Sequence, residues 1–151
     1  IYFSMSEDNV RKKIMLPWVS FDSDAGSYSD ISKDFITHPR AFGSFARVLG
    51  KYVREEKLIS MEEAIRRLSG FPSDNLGIKN RGYLRIGYFA DIVVFDPDKI
   101  QDKATFEDPL QFAEGVEHVF VNGVQVLSNG DHTDNFPGRF VKGSGYNPPS
   151  E

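Results

Sequence analysis

The chain has 151 residues, 40% apolar and 13% aromatic, with a formal net charge of −4 and no cysteine. That is about one domain's worth of chain, apolar enough to bury a core, which excludes a disordered polymer. Lys and Arg are scattered among acids and no run nears the ~18 apolar residues of a membrane span, so neither nucleic acid nor a membrane is an expected partner. The lack of cysteine removes disulfide and thiolate chemistry and is compatible with the cytoplasm, the compartment expected.

Ile1-Tyr2-Phe3-Ser4 is apolar and aromatic and reads as the end of a strand. It opens without an initiator Met, so a fragment of a longer chain is expected. Ser4 or Ser6 can cap a helix whose first turn carries Glu7 and Asp8, where acids favour the helix dipole. Val10, Ile14 and Met15 give that helix a short apolar face.

Trp18-Val19-Ser20-Phe21 follows, β-prone, with Pro17 at its front edge. It reads as a short buried strand that delivers Asp22 and Asp24 to its tip and turns at Gly26. Two readings of the acids stand. Asp-rich turns commonly satisfy nearby backbone N–H groups. Reactive side chains also sit at strand tips in parallel barrels, because the strand is rigid there. A calcium loop is excluded, since its required Gly and Glu positions hold Ser27 and Lys33.

Residues 27–41 read as a long loop, closed by His38-Pro39-Arg40. These are ordinary loop residues or, near a site, groups that bind substrate. Phe42, Phe45, Leu49, Tyr52 and Val53 recur at helical spacing and are expected in the core. Ser60-Met61-Glu62-Glu63 is a capping box. It opens a helix with Ala64, Ile65 and Leu68 inward, ended by Gly70 and Pro72. Ser73 or Asp74 can cap one more short turn, closed by Gly77.

Beyond residue 80 the pattern turns to β. Ile92-Val93-Val94-Phe95 is a strand stopped by Asp96-Pro97. Residues 98–115 are loop-like. Two strand halves within 116–127 flank Asn122-Gly123, the strongest short hairpin signal. His118 alternates with apolar neighbours and is expected to be structural. No two histidines stand at metal-ligand spacing. The Gly/Pro-rich end is expected to be poorly ordered.

Several stretches together resemble the closing third of N-acyl-D-amino-acid deacylases (D-aminoacylases), in the amidohydrolase superfamily. They are Met5-Ser6-Glu7-Asp8, Pro17-Trp18-Val19 to Ser23-Asp24, and Thr37-His38-Pro39-Arg40 through Val48-Leu49-Gly50-Lys51-Tyr52-Val53-Arg54. Gly87-Tyr88-Phe89-Ala90-Asp91-Ile92-Val93-Val94-Phe95-Asp96-Pro97, Ala104-Thr105-Phe106-Glu107-Asp108-Pro109, Val121-Asn122-Gly123-Val124 and Pro137-Gly138-Arg139 complete the series. The run from Ala90 to Asp96 speaks only for amidohydrolases. The His-Pro-Arg helix and the Ala-Thr-Phe-Glu-Asp-Pro stretch point to the D-aminoacylase branch.

The resemblance implies an α/β plus β fold: the last strands and helices of a (β/α)8 metal-dependent hydrolase barrel, then the C-terminal part of a small β-sandwich. Residues 1–79 would be the barrel end, 80–142 the β-sandwich module and 143–151 a flexible tail. Residues 1–4 would end strand seven and 17–22 would form strand eight. The implied chemistry is zinc-dependent hydrolysis of an N-acylated amino acid. Zn²⁺ activates water in the full-length parent, and a carboxylate carries the proton to the leaving amine. By resemblance that catalytic carboxylate is Asp24, while Asp22 has no counterpart and stays structural. Tyr2 and Met5 would bind the substrate's apolar side chain, or simply pack.

The family usually has Gly after the catalytic Asp, whereas this chain has Ala25-Gly26. The metal ligands would lie on earlier strands, so this chain is expected to bind no zinc and to hydrolyse nothing without the missing N-terminal part of the same protein. Two other readings are kept: a cyclic amidase of the dihydroorotase or hydantoinase kind, and a non-catalytic β-module used for assembly or binding.

Overall fold

The computed structural model describes residues 5–26, 37–143 and 145–146. Among the described residues five helical segments precede one small sheet: α1 (Glu7–Ile14), α2 (Arg40–Arg47), a π-helical segment (Val48–Glu55), α3 (Met61–Leu68) and α4 (Gly70–Asn75). The strands are β1 (Ile92–Phe95), β2 (Val116–Val121), β3 (Val124–Ser128) and β4 (Asp131–His132). Among the described residues no helix is long and apolar enough to cross a membrane.

Local chemistry sets the helix ends. Ser6 Oγ accepts the Asn9 N–H at 3.3 Å, and Ser60 Oγ accepts the Glu63 N–H at 3.2 Å. Each satisfies a backbone donor that has no partner inside its helix. The helix opened by Ser60 ends before Gly70 as expected, and the further short turn is there too, but it starts at Gly70 rather than at a Ser73 or Asp74 cap. The chain breaks at Ser69 and restarts as α4, with Pro72 in its first turn, where the missing N–H costs nothing. Gly77, at φ 64°, then closes it.

α2 runs directly into the π-helical segment, whose inner face carries the buried Val48, Leu49, Tyr52 and Val53. With Ala46, Ala64 and Ile100, the three aliphatic residues among them build the main core, and Phe21, Phe95 and Val116 pack against it. The core therefore joins the helices to the sheet. Gly50 sits at that seam: a Cβ there would meet Ile100 O at 2.6 Å. Phe45, expected inside, is half-exposed. Ile65 also stands partly in solvent rather than inward.

The sheet is an antiparallel meander in the order β1-β2-β3-β4. Asn122 (φ 50°) and Gly123 (φ 82°) make the turn between β2 and β3, both left-handed as a type I′ hairpin requires. Asn129-Gly130 repeats the device (φ 51° and 88°) and leads into β4, which the sequence reading does not anticipate. Asp91 anchors the first hairpin: its Oδ1 accepts the Asn122 N–H at 2.8 Å, and its other oxygen takes a hydrogen bond from Arg81. The Ala-Asp-Ile-Val-Val-Phe-Asp run is thus explained by folding. His118 pairs through Nδ1 with Gln125 Nε2 at 3.2 Å within the sheet. Among the described residues no second sheet faces this one.

Candidate active site

The stretch after α1 departs from the strand expected of it. Residues 17–22 form no strand ladder, and Trp18 is 69% exposed. The physical reason is the lack of a neighbour. β-propensity describes fit to a pleated surface, and among the described residues no strand lies beside this one. Its backbone is held by side chains instead. Arg67 donates to Val19 O and Ile14 O, each at 2.5 Å, and Arg66 donates to Pro17 O at 2.9 Å. The sequence reading singles out neither arginine. A signal existed, since Arg67 stands three residues after the inward Ala64 on the same helical face.

This segment presents its acids differently. Asp22 Oδ1 accepts the Ser23 N–H at 2.8 Å, a local backbone contact. Asp24 has φ 50°, an uncommon conformation outside glycine, which Asp tolerates better than most residues. Its side chain is 80% exposed, and Oδ2 lies 3.0 Å from Arg40 Nη2. Arg40 is the first residue of α2, held by the chain's own turn: His38 Nδ1 accepts the Arg40 N–H at 3.1 Å. The His38 ring also meets Phe106 edge-on, with centroids 5.0 Å apart. The His-Pro-Arg and Ala-Thr-Phe-Glu-Asp-Pro stretches are therefore neighbours in space.

Ser23 and Arg40 lie on the wall of an open groove of about 970 Å³ between the helices and the sheet, lined further by Phe42, Phe45, Ile65 and Val93. Its walls are mainly apolar, with Arg40, Glu62, Arg66 and Asp91 among them, a build shared by binding clefts and by surfaces that another segment covers. Phe45 is half-exposed because it faces this groove.

The helices also carry an ion network. Glu7 accepts from Lys51 and, at 3.0 Å, from the Tyr52 hydroxyl. Arg11 grips both oxygens of Glu56, at 2.7 and 3.0 Å. The Lys51 hydrogen bond holds the Glu7 carboxyl below the usual glutamate range, and Arg11 does the same for Glu56. Burial raises the Tyr52 phenol above its ordinary value. This network ties α1 to the π-helical segment and lies apart from the groove lining.

Of the other sequence candidates, Tyr2 lies outside the described residues. Met5 is exposed, its Sδ 3.3 Å from Lys13 Nζ. The donors present do not fit a zinc site: among the described residues no group of three His, Asp or Glu side chains is placed to hold a metal ion. His38, His118 and His132 each have separate local partners.

Comparison with known proteins places this geometry in context. Residues 19–127 match the amidohydrolase family. Over 142 residues the chain is 39% identical to N-acyl-D-glutamate deacylase of Alcaligenes xylosoxydans xylosoxydans, covering 94% of this chain and 28% of that protein. A crystal structure of D-aminoacylase superposes with a TM-score of 0.81 at 36% identity, covering 89% of this chain and 27% of that one. N-acyl-D-glutamate deacylase from Bordetella bronchiseptica, complexed with zinc and a phosphonate mimic of the reaction's tetrahedral intermediate, gives 0.73 at 38% identity, covering 83% and 25%. The chain thus spans little more than a quarter of the length of the relatives it matches.

Proposed function

The chain belongs to the amidohydrolase family, and from that premise we propose that it is the closing portion of a hydrolase that cleaves the amide bond of N-acyl-D-amino acids. The observation that carries the reading is the exposed Asp24 carboxylate, paired with Arg40, which with Ser23 lines the apolar groove. The kinship with deacylases over nearly the whole chain supports it.

Asp24 acts as the proton carrier. Its carboxylate accepts a proton from the attacking water as oxygen bonds to the amide carbon. It then gives that proton to the amine nitrogen as the C–N bond breaks. The products are the acyl carboxylate and the free D-amino acid. Arg40 offers a planar, doubly donating group to the substrate's own carboxylate. Tyr2 and Met5 receive the amino-acid side chain.

The parent is zinc-dependent, and the metal's ligands come from outside this chain. Without the N-terminal part of the same protein the 151 residues alone are inactive. With it, the unpaired β-prone segment 17–22 gains its neighbours and becomes the eighth barrel strand. The sheet gains the rest of its sandwich. Residues 1–79 and 80–142 thereby belong to barrel and sandwich.

The test is a substrate panel. The parent protein is assayed on N-acetyl-D-amino acids, their L-enantiomers and ring amides, and the 151-residue polypeptide is assayed alone. Turnover of the linear D-substrates by the parent, with none by the 151 residues alone, is expected. Turnover restricted to ring amides would replace this reading with a cyclic amidase. No hydrolysis by the parent would leave an assembly or binding module.

A further inference from the structure

Arg67 is the largest side chain in the described structure to be fully buried, with 0% of its surface exposed. A buried guanidinium ordinarily demands a carboxylate, because desolvating an unpaired charge is costly. Among the described residues Arg67 has no such partner. Its bonds go to two main-chain carbonyls: Nε to Val19 O and Nη1 to Ile14 O, both 2.5 Å. The guanidinium carbon lies 4.5 Å from the centre of the Phe21 ring. Nη2 is buried and unpaired.

A leucine or methionine could fill this volume at lower cost. What it could not do is bridge the last residue of α1 to the segment five residues on. Those acceptors bracket the irregular stretch 15–18, and Phe21 extends the contact to three residues before Asp24. Arg66 adds the third carbonyl, Pro17 O, from the adjacent helix position. α3 is itself fixed, by its Ser60 cap and by Ala64 in the core. The segment bearing Asp24 is therefore tied to α3 by two guanidinium groups, and of the two only Arg67 is buried and bridges Ile14 to Val19; in the parent this tie adds to whatever ladder residues 17–22 form.

We infer that Arg67 is a positioning residue for Asp24: it sets where the acid stands and touches neither substrate nor reacting atoms. This rests on the reading of Asp24 as the proton carrier.

The experiment compares Arg67→Met, Arg67→Lys and Asp24→Asn in the parent protein, at a temperature well below each melting point. Lys reaches one carbonyl at a time and cannot bridge two. With the acid displaced by about an ångström, kcat is expected to fall about 100-fold in the Met variant and about tenfold in the Lys variant, with KM within about twofold. A residue that merely supports the core would lower the melting temperature and leave the kcat of folded protein unchanged. Folded Met and Lys variants with wild-type kcat, or with KM alone raised, overturn the inference while an inactive Asp24→Asn keeps the proton-carrier reading. Failure of both Arg67 variants to fold also overturns it, marking Arg67 as core support. Full turnover in Asp24→Asn removes the proton-carrier reading and this inference together.

Discussion

Arg40 Nη2 stands 3.0 Å from Asp24 Oδ2, joining the start of α2 to the segment after α1. Both side chains are largely in solvent, so as a stabilising contact the pair is worth at most ~1 kcal/mol. Its interest is chemical. An arginine that faces a carboxylate at the edge of a cleft can exchange that partner for a substrate carboxylate. Arg40→Met is expected to change unfolding free energy by less than ~1 kcal/mol. It should raise KM for N-acyl-D-amino acids about tenfold, the loss of one charge-assisted contact. Steady-state kinetics and urea melts on the parent check both. A melt shifted by several kcal/mol with an unchanged KM would assign Arg40 to structure.

Gly50 lies where the π-helical segment meets the backbone after β1. An added methyl would fall 2.6 Å from Ile100 O, a main-chain atom that cannot swing aside. Gly50→Ala is expected to destabilise the parent by about 1–3 kcal/mol, the usual cost of overpacking. Denaturant unfolding reads this directly.

Ser60 supplies the cap on which α3 begins. Ser60→Ala is expected to cost about 1 kcal/mol, and Ser60→Asp to cost much less, because Asp restores the acceptor. Equal losses in the two variants would show that the cap bond is not what stabilises the helix.

The network between α1 and the π-helical segment predicts an acid-side dependence. Glu7 is held below the ordinary glutamate range chiefly by the Lys51 hydrogen bond, and Glu56 by that of Arg11. A carboxyl with a depressed folded pKa stabilises the fold above its unfolded pKa of about 4.3, and that stability is lost as pH falls through the lower folded value. Unfolding free energy should therefore decline as pH falls below about 4.5. The decline should be shallower in Glu7→Gln/Glu56→Gln. Identical slopes in wild type and double variant would contradict it.

What can be read from the residues is what local chemistry decides. Ser6 and Ser60 announce their helices because a hydroxyl before an acidic first turn satisfies orphan N–H groups. Asn122-Gly123 announces its hairpin because both positions need positive φ. The same dipeptide at 129–130 carries the same information, but only two residues of β4 follow it, too few to show an alternating pattern. Partners distant in sequence are not legible. Trp18 and Phe21 have strand chemistry, but a strand needs a neighbour, and none among the described residues supplies one. Phe45 keeps the helical period of a core stripe yet faces the groove, since periodicity marks a face without saying what covers it. Arg67 escapes a reading by residue type because arginine is normally a surface residue. The pairing of Asp24 with Arg40 joins residues far apart in sequence that no spacing rule connects.

On the proposed function Asp24 carries the proton in amide hydrolysis. The direct measurement is kcat of Asp24→Asn in the parent on an N-acetyl-D-amino acid, with folding verified by its melt. Asparagine keeps the shape and removes the base, so kcat should fall by about 10²–10⁴, the range a general acid–base group supplies. Turnover within a few-fold of wild type in that folded variant would contradict the account.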